Sequence, residues 1–574
     1  MQQRNSYLIG KAFRNYLGAS VLSVAATQVA NIVDASIVGN LIGPEGLAAV
    51  NLCRPVTQAV FALSCFYVIS CSMMAGIAIG KGVKEEANKL FSFSMLISVL
   101  LGALFTVVGF SVFNNLSSVL CESESLRTMT NDFLRVTLFS AIPMLLMYTL
   151  QSFVTVDGSP GIVSRAVIVG NIFNIVCDII FIKFFKWGIA GAAWATLMMY
   201  IVCSLLVLPH FRKKGTMRLC RFQVKCIDYH QIVTYGVPMF MSTILLSVQF
   251  VGNNYVAGTY LGDEGLIALA VCMQLFAFSM IFLTGTIRTI QPVGSILHGI
   301  GDDRGMLLLM RRAYRFLSIC LVVYVLLIVI FPVQVGHILG VNSASSIPII
   351  RKALPAFTLQ IVMQALLCCL IPVYQFYDHK HLAFLISVGQ TLLPMICFWG
   401  LRGRWIGFFL GQAIVAVIVL ICTGSIRYRN KYRQTPVFLI PKSEENDVYD
   451  VTVETNIQAL AETRGSLRDF LLSLGISSEI VNRYVVCFEE LLKNIIEHGH
   501  ARFVDVRATR TAISLHDDGR PFNPVEYKNE ESISEQDCEN HLGLRIVHGL
   551  TSDIKYDYRF NQNMVTIAIK EQTI

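Results

Sequence analysis

Twelve apolar runs, each long enough to cross a bilayer, recur along the first 425 residues of this 574-residue chain. About 20 residues at 1.5 Å rise span the hydrocarbon core of a membrane, and no single soluble core absorbs so many such segments. The runs lie near 15–42, 52–80, 91–114, 132–155, 161–183, 188–209, 232–260, 267–297, 315–340, 352–376, 382–400 and 405–425. Pro143, Pro238, Pro292 and Pro372 fall inside them, which membrane helices tolerate where neighbours re-satisfy the backbone. With 54% hydrophobic and only 15% charged residues, the composition leaves the range of soluble domains. The expected fold class is a polytopic α-helical membrane protein in the lipid bilayer.

Charge divides the chain in two. Residues 441–574 hold 14 Lys+Arg against 23 Asp+Glu, so subtraction from the totals of 46 and 38 leaves 32 and 15 in the first 440. A basic, acid-poor, apolar body therefore precedes an acidic tail of soluble character. The basic residues cluster in alternate loops: Lys11 and Arg14, Lys81 to Lys89, Arg212 to Lys225, Arg304 to Arg315, and Arg427 to Arg433. The opposite loops carry Glu45, Glu122, Glu124, Asp263 and Glu264. Positive loops face the cytoplasm, which puts both termini on that side of a plasma (inner) membrane and requires an even number of spans. Basic residues spread this way are inner-loop charge and point to no nucleic-acid partner. No cleavable signal pattern precedes the first span, and the 16 cysteines, scattered through apolar runs without a CxxC array, read as small apolar residues.

The body also repeats itself. VGNLIGPEGLAAV at 38–50 matches AGTYLGDEGLIALA at 257–270, and an offset of 219 aligns Gly39, Gly43, Glu45, Gly46 and Leu47 with Gly258, Gly262, Glu264, Gly265 and Leu266. Two six-helix halves follow, a common transporter plan with binding between the halves. The expected organisation is a cytoplasmic N-terminus at 1–14, a first lobe at 15–209, a basic loop at 210–231, a second lobe at 232–425, a linker at 426–447 and a separate domain at 448–574.

A carboxylate in the bilayer core is costly and is usually turned inward for function. Of the 15 acids before residue 441, 13 fall in loops or at span ends, leaving Asp34 in the first span and Asp178 in the fifth. Asn171 and Asn174 precede Asp178 by seven and four residues, placing all three on one helix face. Two readings remain at this point: a structural carboxylate satisfied by amides and hydroxyls, or a proton or Na⁺ site. The run Asn31-Ile-Val-Asp34, the turn Gly43-Pro-Glu-Gly46 with its second copy, the loop Asp157-Gly-Ser-Pro160 and the segment from Asn171 to Asp178 resemble signatures of the MATE (multidrug and toxic compound extrusion) family, over about residues 10–430. The resemblance implies a cation site in the first half, at positions matching Asp34, Asn174, Asp178 and Thr196. The second half lacks the acids of some relatives, which suggests coupling through the first lobe alone. Arg288, within the eighth span, stands outside this pattern.

After Pro436 and Pro441 the pattern becomes that of a soluble α/β domain. Strands are predicted at 448–453, 503–509, 511–516 and 564–570, with helices at 457–474 and 480–498. Glu490 and Asn494 stand one turn apart on a helix, fit for a general base beside a Mg²⁺ ligand. Asp517-Asp-Gly-Arg-Pro-Phe522 follows a strand, where a carboxylate can accept the adenine amine. In His541-Leu-Gly-Leu-Arg-Ile-Val547 a glycine opens a helix whose N–H groups suit phosphate. Together these motifs resemble the histidine-kinase/Hsp90-like (GHKL) ATPase fold, specifically its anti-sigma factor serine kinase branch, over about 450–570. The resemblance implies an α/β sandwich that binds ATP and Mg²⁺, with Glu490 as catalytic base, Asn494 on the metal, Asp517 on adenine, and Gly519 and Gly543 near the nucleotide. His541 replaces a usual glycine, and the lid at 529–539 is acidic.

The function expected from these features is an H⁺- or Na⁺-coupled antiporter exporting small amphipathic or cationic compounds. Its tail would regulate transport or phosphorylate a cytoplasmic partner protein on Ser or Thr. The alternatives are a membrane-anchored serine kinase that uses the body as sensor, and a lipid-linked oligosaccharide flippase. An ATP-driven pump is disfavoured, because no GxxxxGK[ST] loop is present.

Overall fold

The computed structural model describes residues 4–121, 124–212, 217–334, 347–431, 433–442, 448–525, 542–551 and 553–569. His541, the lid at 529–539 and the end of the ninth predicted span lie outside the described residues. Two compact units emerge. One comprises 15–302 and 309–440; the other comprises 1–14, 303–308 and 441–574.

The larger unit is helical: α1 Tyr7–Leu41, α2 Pro44–Gly80, α3 Lys84–Ser111, α4 Phe113–Leu120, α5 Glu124–Phe139, α6 Ala141–Val156, α7 Pro160–Ile179, α8 Gly188–Val207, α9 Tyr229–Ile300, α10 Asp303–Ile330, α11 Ile347–Cys368, α12 Leu370–Phe376, α13 Lys380–Gly400 and α14 Ile406–Arg429. Among the described residues, ten helices are long and apolar enough to cross a membrane, and the pair 126–139 and 141–156, bent by 46°, makes an eleventh span. The 72-residue α9 would reach roughly 108 Å if straight, far beyond one bilayer crossing. It is broken at Gly262 (φ 67°, ψ −161°), so 229–261 and 263–300 are two helices, which brings the candidate spans among the described residues to twelve. Leu100, Leu104, Val107, Val322 and Leu326 stand exposed on the helix exteriors, a surface suited to lipid.

The repeat seen in the sequence is also a repeat of backbone. Gly43, between α1 and α2, has φ 104°, and its counterpart Gly262 also has positive φ, a conformation glycine adopts without the steric cost of a Cβ. The symmetry reaches further than the short matching run. A Cβ on Gly80 would lie 2.3 Å from the Ile296 carbonyl oxygen, and one on Gly299 would lie 2.3 Å from that of Ile77. Gly80 and Gly299 are 219 residues apart, as are Ile77 and Ile296. The second helices of the two halves thus cross backbone against backbone on the repeat's own two-fold, and only glycine permits that approach.

The smaller unit contains an antiparallel five-stranded sheet: β1 Tyr449–Glu454, β2 Phe503–Ala508, β3 Ala512–Asp517, β4 Ile554–Arg559 and β5 Gln562–Ala568, in the order β1-β2-β3-β5-β4. Its helices are α15 Ile457–Ser473, α16 Ser478–Asn494 and α17 Leu542–Leu550. Alternation sorts the faces. Val451, Val453, Val504, Val506, Ile513 and Leu515 join Leu467, Phe488 and Leu492 of the helices in one core, while Asp450, Thr452 and Asp505 point to the other face. β4 was not among the predicted strands. Its sequence Ile554-Lys-Tyr-Asp-Tyr-Arg559 alternates, but with a half-buried pattern typical of the sheet edge it occupies.

Candidate functional sites: a membrane carboxylate pair and a nucleotide pocket

Within the membrane body, α1 presents Asp34 and α7 presents Asp178, and the two carboxyls are electrostatic neighbours. Asp178 is fully buried. Among the described residues neither of its oxygens has a hydrogen-bond partner, nor does Oδ1 of Asp34. The amide nitrogens of Asn171 and Asn174, on the same α7 face, are buried and unpartnered as well. Two carboxylates that meet only each other's acceptor oxygens repel, so this geometry fits a bound proton or a small cation. Thr196, on α8 beside α7, donates its hydroxyl to the Ala192 carbonyl (3.1 Å); no described hydrogen bond joins it to Asp178. Directly after Asp178, α7 ends in a π-helical turn at Ile180–Phe184, a local irregularity that often marks functional sites. Adding 219 to 34 gives 253, and Asn253 in the second half is buried with both amide atoms unpartnered. The symmetric position thus keeps polarity and loses charge. Asp157, in the matching loop motif, is engaged elsewhere: its Oδ2 meets His210 Nε2 at 2.9 Å and accepts from the Met217 N–H at 3.2 Å.

In the smaller unit, the three nucleotide motifs converge on the C-terminal end of α16. Glu490 is half-buried, and a Cβ on Gly543 at the start of α17 would lie 2.1 Å from its Oε2. Asn494, one turn on, has a buried and unpartnered amide nitrogen. Here too a π-helical turn follows, at Ile495–Gly499. Its last residue meets the Asp517 motif: a Cβ on Gly519 would lie 2.4 Å from the Gly499 carbonyl oxygen, which also accepts from the Arg520 N–H at 2.8 Å.

Asp517 ends β3 almost fully buried, and its Oδ1 accepts from the Gly519 N–H (2.8 Å) and from Asn563 Nδ2 (2.9 Å). Burial pushes its carboxyl above the ordinary value, against the pull of those two bonds. Asn563, on β5 opposite Asp517 in register, is a site residue that sequence reasoning missed. It also donates to the Arg520 carbonyl (3.0 Å) and accepts from the Tyr556 hydroxyl (2.8 Å) and the Phe522 N–H (3.3 Å). No local motif signals it, since cross-strand register alone brings it to Asp517. Among the described residues no group of three His, Cys, Asp or Glu could hold a metal.

The N-terminal segment completes this unit. Arg4 Nε donates to Asp505 Oδ2 at 2.9 Å, and its guanidinium lies 3.6 Å from Asp450, all three side chains being buried. The Asn5 N–H donates to Thr452 Oγ1 (2.9 Å), and Gln562 Nε2 donates to the Leu8 carbonyl (2.8 Å). Tyr7 packs its ring on Phe503 at 4.9 Å. Lys11 Nζ pairs with Asp518 Oδ2 at 2.8 Å, one residue beyond Asp517. None of this was visible in the sequence, because the partners lie about 450–550 positions apart.

Comparison with known proteins identifies both domains. Residues 19–180 match the MatE family and residues 453–569 match the histidine kinase-like ATPase domain. The chain joins a MatE domain to a histidine kinase-like ATPase domain. The multidrug export protein MepA of Staphylococcus haemolyticus is 21% identical over 291 residues, covering 50% of this chain and 64% of that protein. The chain thus spans just under two thirds of that relative. MepA of Staphylococcus saprophyticus is 22% identical, with 61% of this chain and 75% of that protein covered. Among solved structures, a MOP superfamily transporter from Pyrococcus furiosus superposes with a TM-score of 0.66 at 21% identity, over 76% of this chain and all of that one. A MATE protein in its bent conformation gives 0.65 at 20%, over 74% and 98%. At these identities the structures establish a shared fold.

Proposed function

We propose that the membrane body is a cation-coupled antiporter of small amphipathic compounds in the plasma membrane, both termini cytoplasmic, and that the ATP-binding domain regulates it. The observation that carries the transport reading is the Asp34–Asp178 pair, buried and unpartnered beside two unpartnered amides. A structural carboxylate would be bonded; this one leaves its oxygens for a proton or Na⁺. Filling the site would draw α1 and α7 together, and emptying it would drive the like charges apart, which ties the occupancy of the pair to the arrangement of the first lobe. MepA, by its name, exports multiple drugs, which agrees with a small-molecule cargo.

The nucleotide domain holds a residue for each task of an ATP site. The Asp517 carboxylate is aimed by Asn563 and Gly519 to accept the adenine amine. Glycines at 519 and 543 keep the cradle open to phosphate, Asn494 would hold Mg²⁺, and Glu490 is placed to take a proton from a hydroxyl or water. Bound Mg-ATP would supply the phosphoryl group and its charge-neutralising metal. Regulation of transport is favoured over independent signalling by one feature: residues 4–11, which the nucleotide unit holds through Arg4 and Lys11, include the start of α1, the helix that carries Asp34. Phosphorylation of a partner protein on Ser or Thr, as the serine-kinase resemblance implies, is the second reading.

The test is efflux from proteoliposomes holding the full chain, under an imposed H⁺ or Na⁺ gradient, with and without Mg-ATP. Wild type should export with a rate that changes on adding Mg-ATP, and Asp34→Asn should not export. Unchanged efflux in Asp34→Asn rules out the carboxylate mechanism. A rate indifferent to Mg-ATP, with turnover that requires Glu490, favours the signalling kinase. The full chain is needed because residues 4–11 are part of the nucleotide unit.

A further inference from the structure

Arg288 lies in the eighth span, and the coupling site makes no use of it. It lines a cavity of about 290 Å³ walled by segments of both halves of the membrane body. A cation at that depth is costly unless a partner of opposite charge offsets it. Arg288 has no ion pair among the described residues, and the cavity wall contains no carboxylate. The polar atoms around it face the same need. Ser23 Oγ, Ser164 Oγ, Gln151 Nε2 and Gln291 Nε2 all line this cavity, and all are buried without a hydrogen-bond partner. Gln151 is 8% exposed. Tyr148, in the same wall as Arg288, adds another hydroxyl.

Every one of these groups can donate a hydrogen bond, and the guanidinium can do nothing else. A wall of unpaired donors around one fixed positive charge is complementary to an anion with several acceptor oxygens. A cationic compound would meet repulsion here with no acid to offset it. The rest of the wall is aliphatic and aromatic, and the volume is that of a small ligand. A second cavity in the same body, of about 810 Å³, repeats the charge pattern: Arg54 is its one charged wall residue. Asp34 and Asp178 line neither cavity, so the acidic coupling site and the basic cavity are chemically separate.

We propose that the Arg288 cavity is the binding site for a small organic anion, an aromatic or aliphatic carboxylate, held by Arg288 with Gln151 and Gln291. The proposal rests on the transport reading above and narrows its cargo from amphipathic compounds in general to anionic ones. Arg288 binds the carboxylate through its planar fork of N–H donors, the two amides complete the acceptor shell, and the apolar wall takes the hydrocarbon part.

The experiment is equilibrium binding of radiolabelled p-aminohippurate, a small aromatic carboxylate, and of tetraphenylphosphonium, a bulky organic cation, to the full chain in lipid nanodiscs. Wild type should bind the carboxylate saturably. Arg288→Gln should weaken it at least tenfold, and Arg288→Lys, which keeps the charge and loses the fork, should fall between the two. The melting transition of each variant separates lost binding from lost fold, and Gln151→Ala, expected to weaken the carboxylate several-fold, provides a second probe if Arg288→Gln is not folded. Absence of saturable carboxylate binding by wild type, or equal carboxylate affinity in wild type and folded Arg288→Gln, overturns the proposal. Gradient-driven flux of tetraphenylphosphonium in proteoliposomes without carboxylate binding overturns the anion site alone and leaves the antiporter standing. Flux of neither compound, with carboxylate binding intact, overturns the antiporter and retains the site.

Discussion

Asp178 in the membrane body and Asp517 in the nucleotide domain are almost equally hidden from solvent, yet their surroundings treat them in opposite ways. Asp178 faces another carboxyl and has no bond to either oxygen. Asp517 has two donors fixed on one oxygen, one from its own turn and one from across the sheet. The first arrangement is incomplete without a visitor, as suits a site that exchanges a proton or ion. The second is complete on one side, which aims the remaining oxygen and suits recognition. A third buried aspartate, Asp505, is satisfied by Thr452 (2.6 Å) and Arg4 (2.9 Å), and so reads as structural. Burial alone separates none of these roles; the partner list does.

The largest effect expected from this contrast is at Asp178. Asp178→Asn should lower gradient-driven efflux to the level of empty liposomes while the melting transition of the full chain holds, since no bond is lost. A large drop in melting temperature would instead make Asp178 structural and bring it level with Asp505. Arg4→Ala should do the reverse: it removes the buried cation paired with Asp505, while Asp450 keeps Arg304 at 3.7 Å, and losing one partner of a buried pair costs about 3–5 kcal/mol. Native-state hydrogen exchange in the full chain should show faster exchange in β1 and β2, with the membrane helices unchanged. Lys11→Ala, in which the lost lysine is 32% exposed although its partner Asp518 is buried, should cost less than Arg4→Ala, because water partly replaces the ammonium. Asp517→Asn should leave the fold intact and weaken ATP binding by about 1.5–3 kcal/mol, the worth of a hydrogen bond to a charged group. Calorimetric titration of the full chain would measure it, and an unchanged affinity would remove Asp517 from the adenine site.

How far the sequence reached depends on the range of the interaction. The spans were legible because a bilayer imposes one length on every helix, and the break in α9 because Gly262 stands where Gly43 does in the first half. Asp34 and Asp178 were found by elimination among few acids, although that they face each other is a fact of packing. Glu490 and Asn494 share a helix face and could be read from spacing. Asn563 could not be, because its role comes from β3–β5 register, and the docking of Arg4 on Asp505 links positions with no pattern between them. Both π-helical turns also escaped notice, since each needs one extra residue per turn and leaves no mark on apolar periodicity. β4 was missed for a different reason: as an edge strand it buries only part of each side chain, so its alternation is weak.

The Asp517 carboxyl should also reveal itself through pH. Burial holds the Asp517 carboxyl above its ordinary value of 3.8, despite the bonds from Asn563 and Gly519. Between that ordinary value and the raised one, the folded domain holds a proton that the unfolded chain has released. Stability contributed by this group therefore falls as pH rises through that window and is constant above it. Nucleotide binding runs the other way, because only the ionised carboxylate is purely an acceptor for the adenine amine. ATP affinity of full-length Glu490→Ala, in which turnover is blocked, should accordingly decline on acidification from neutral pH, with its inflexion above 3.8. The same titration on Glu490→Ala/Asp517→Asn separates this carboxyl from protonation of ATP itself: the inflexion should vanish in the double variant. If it persists there unchanged, the titrating group lies elsewhere, and the contrast between a carboxylate that switches and one that recognises loses its second half.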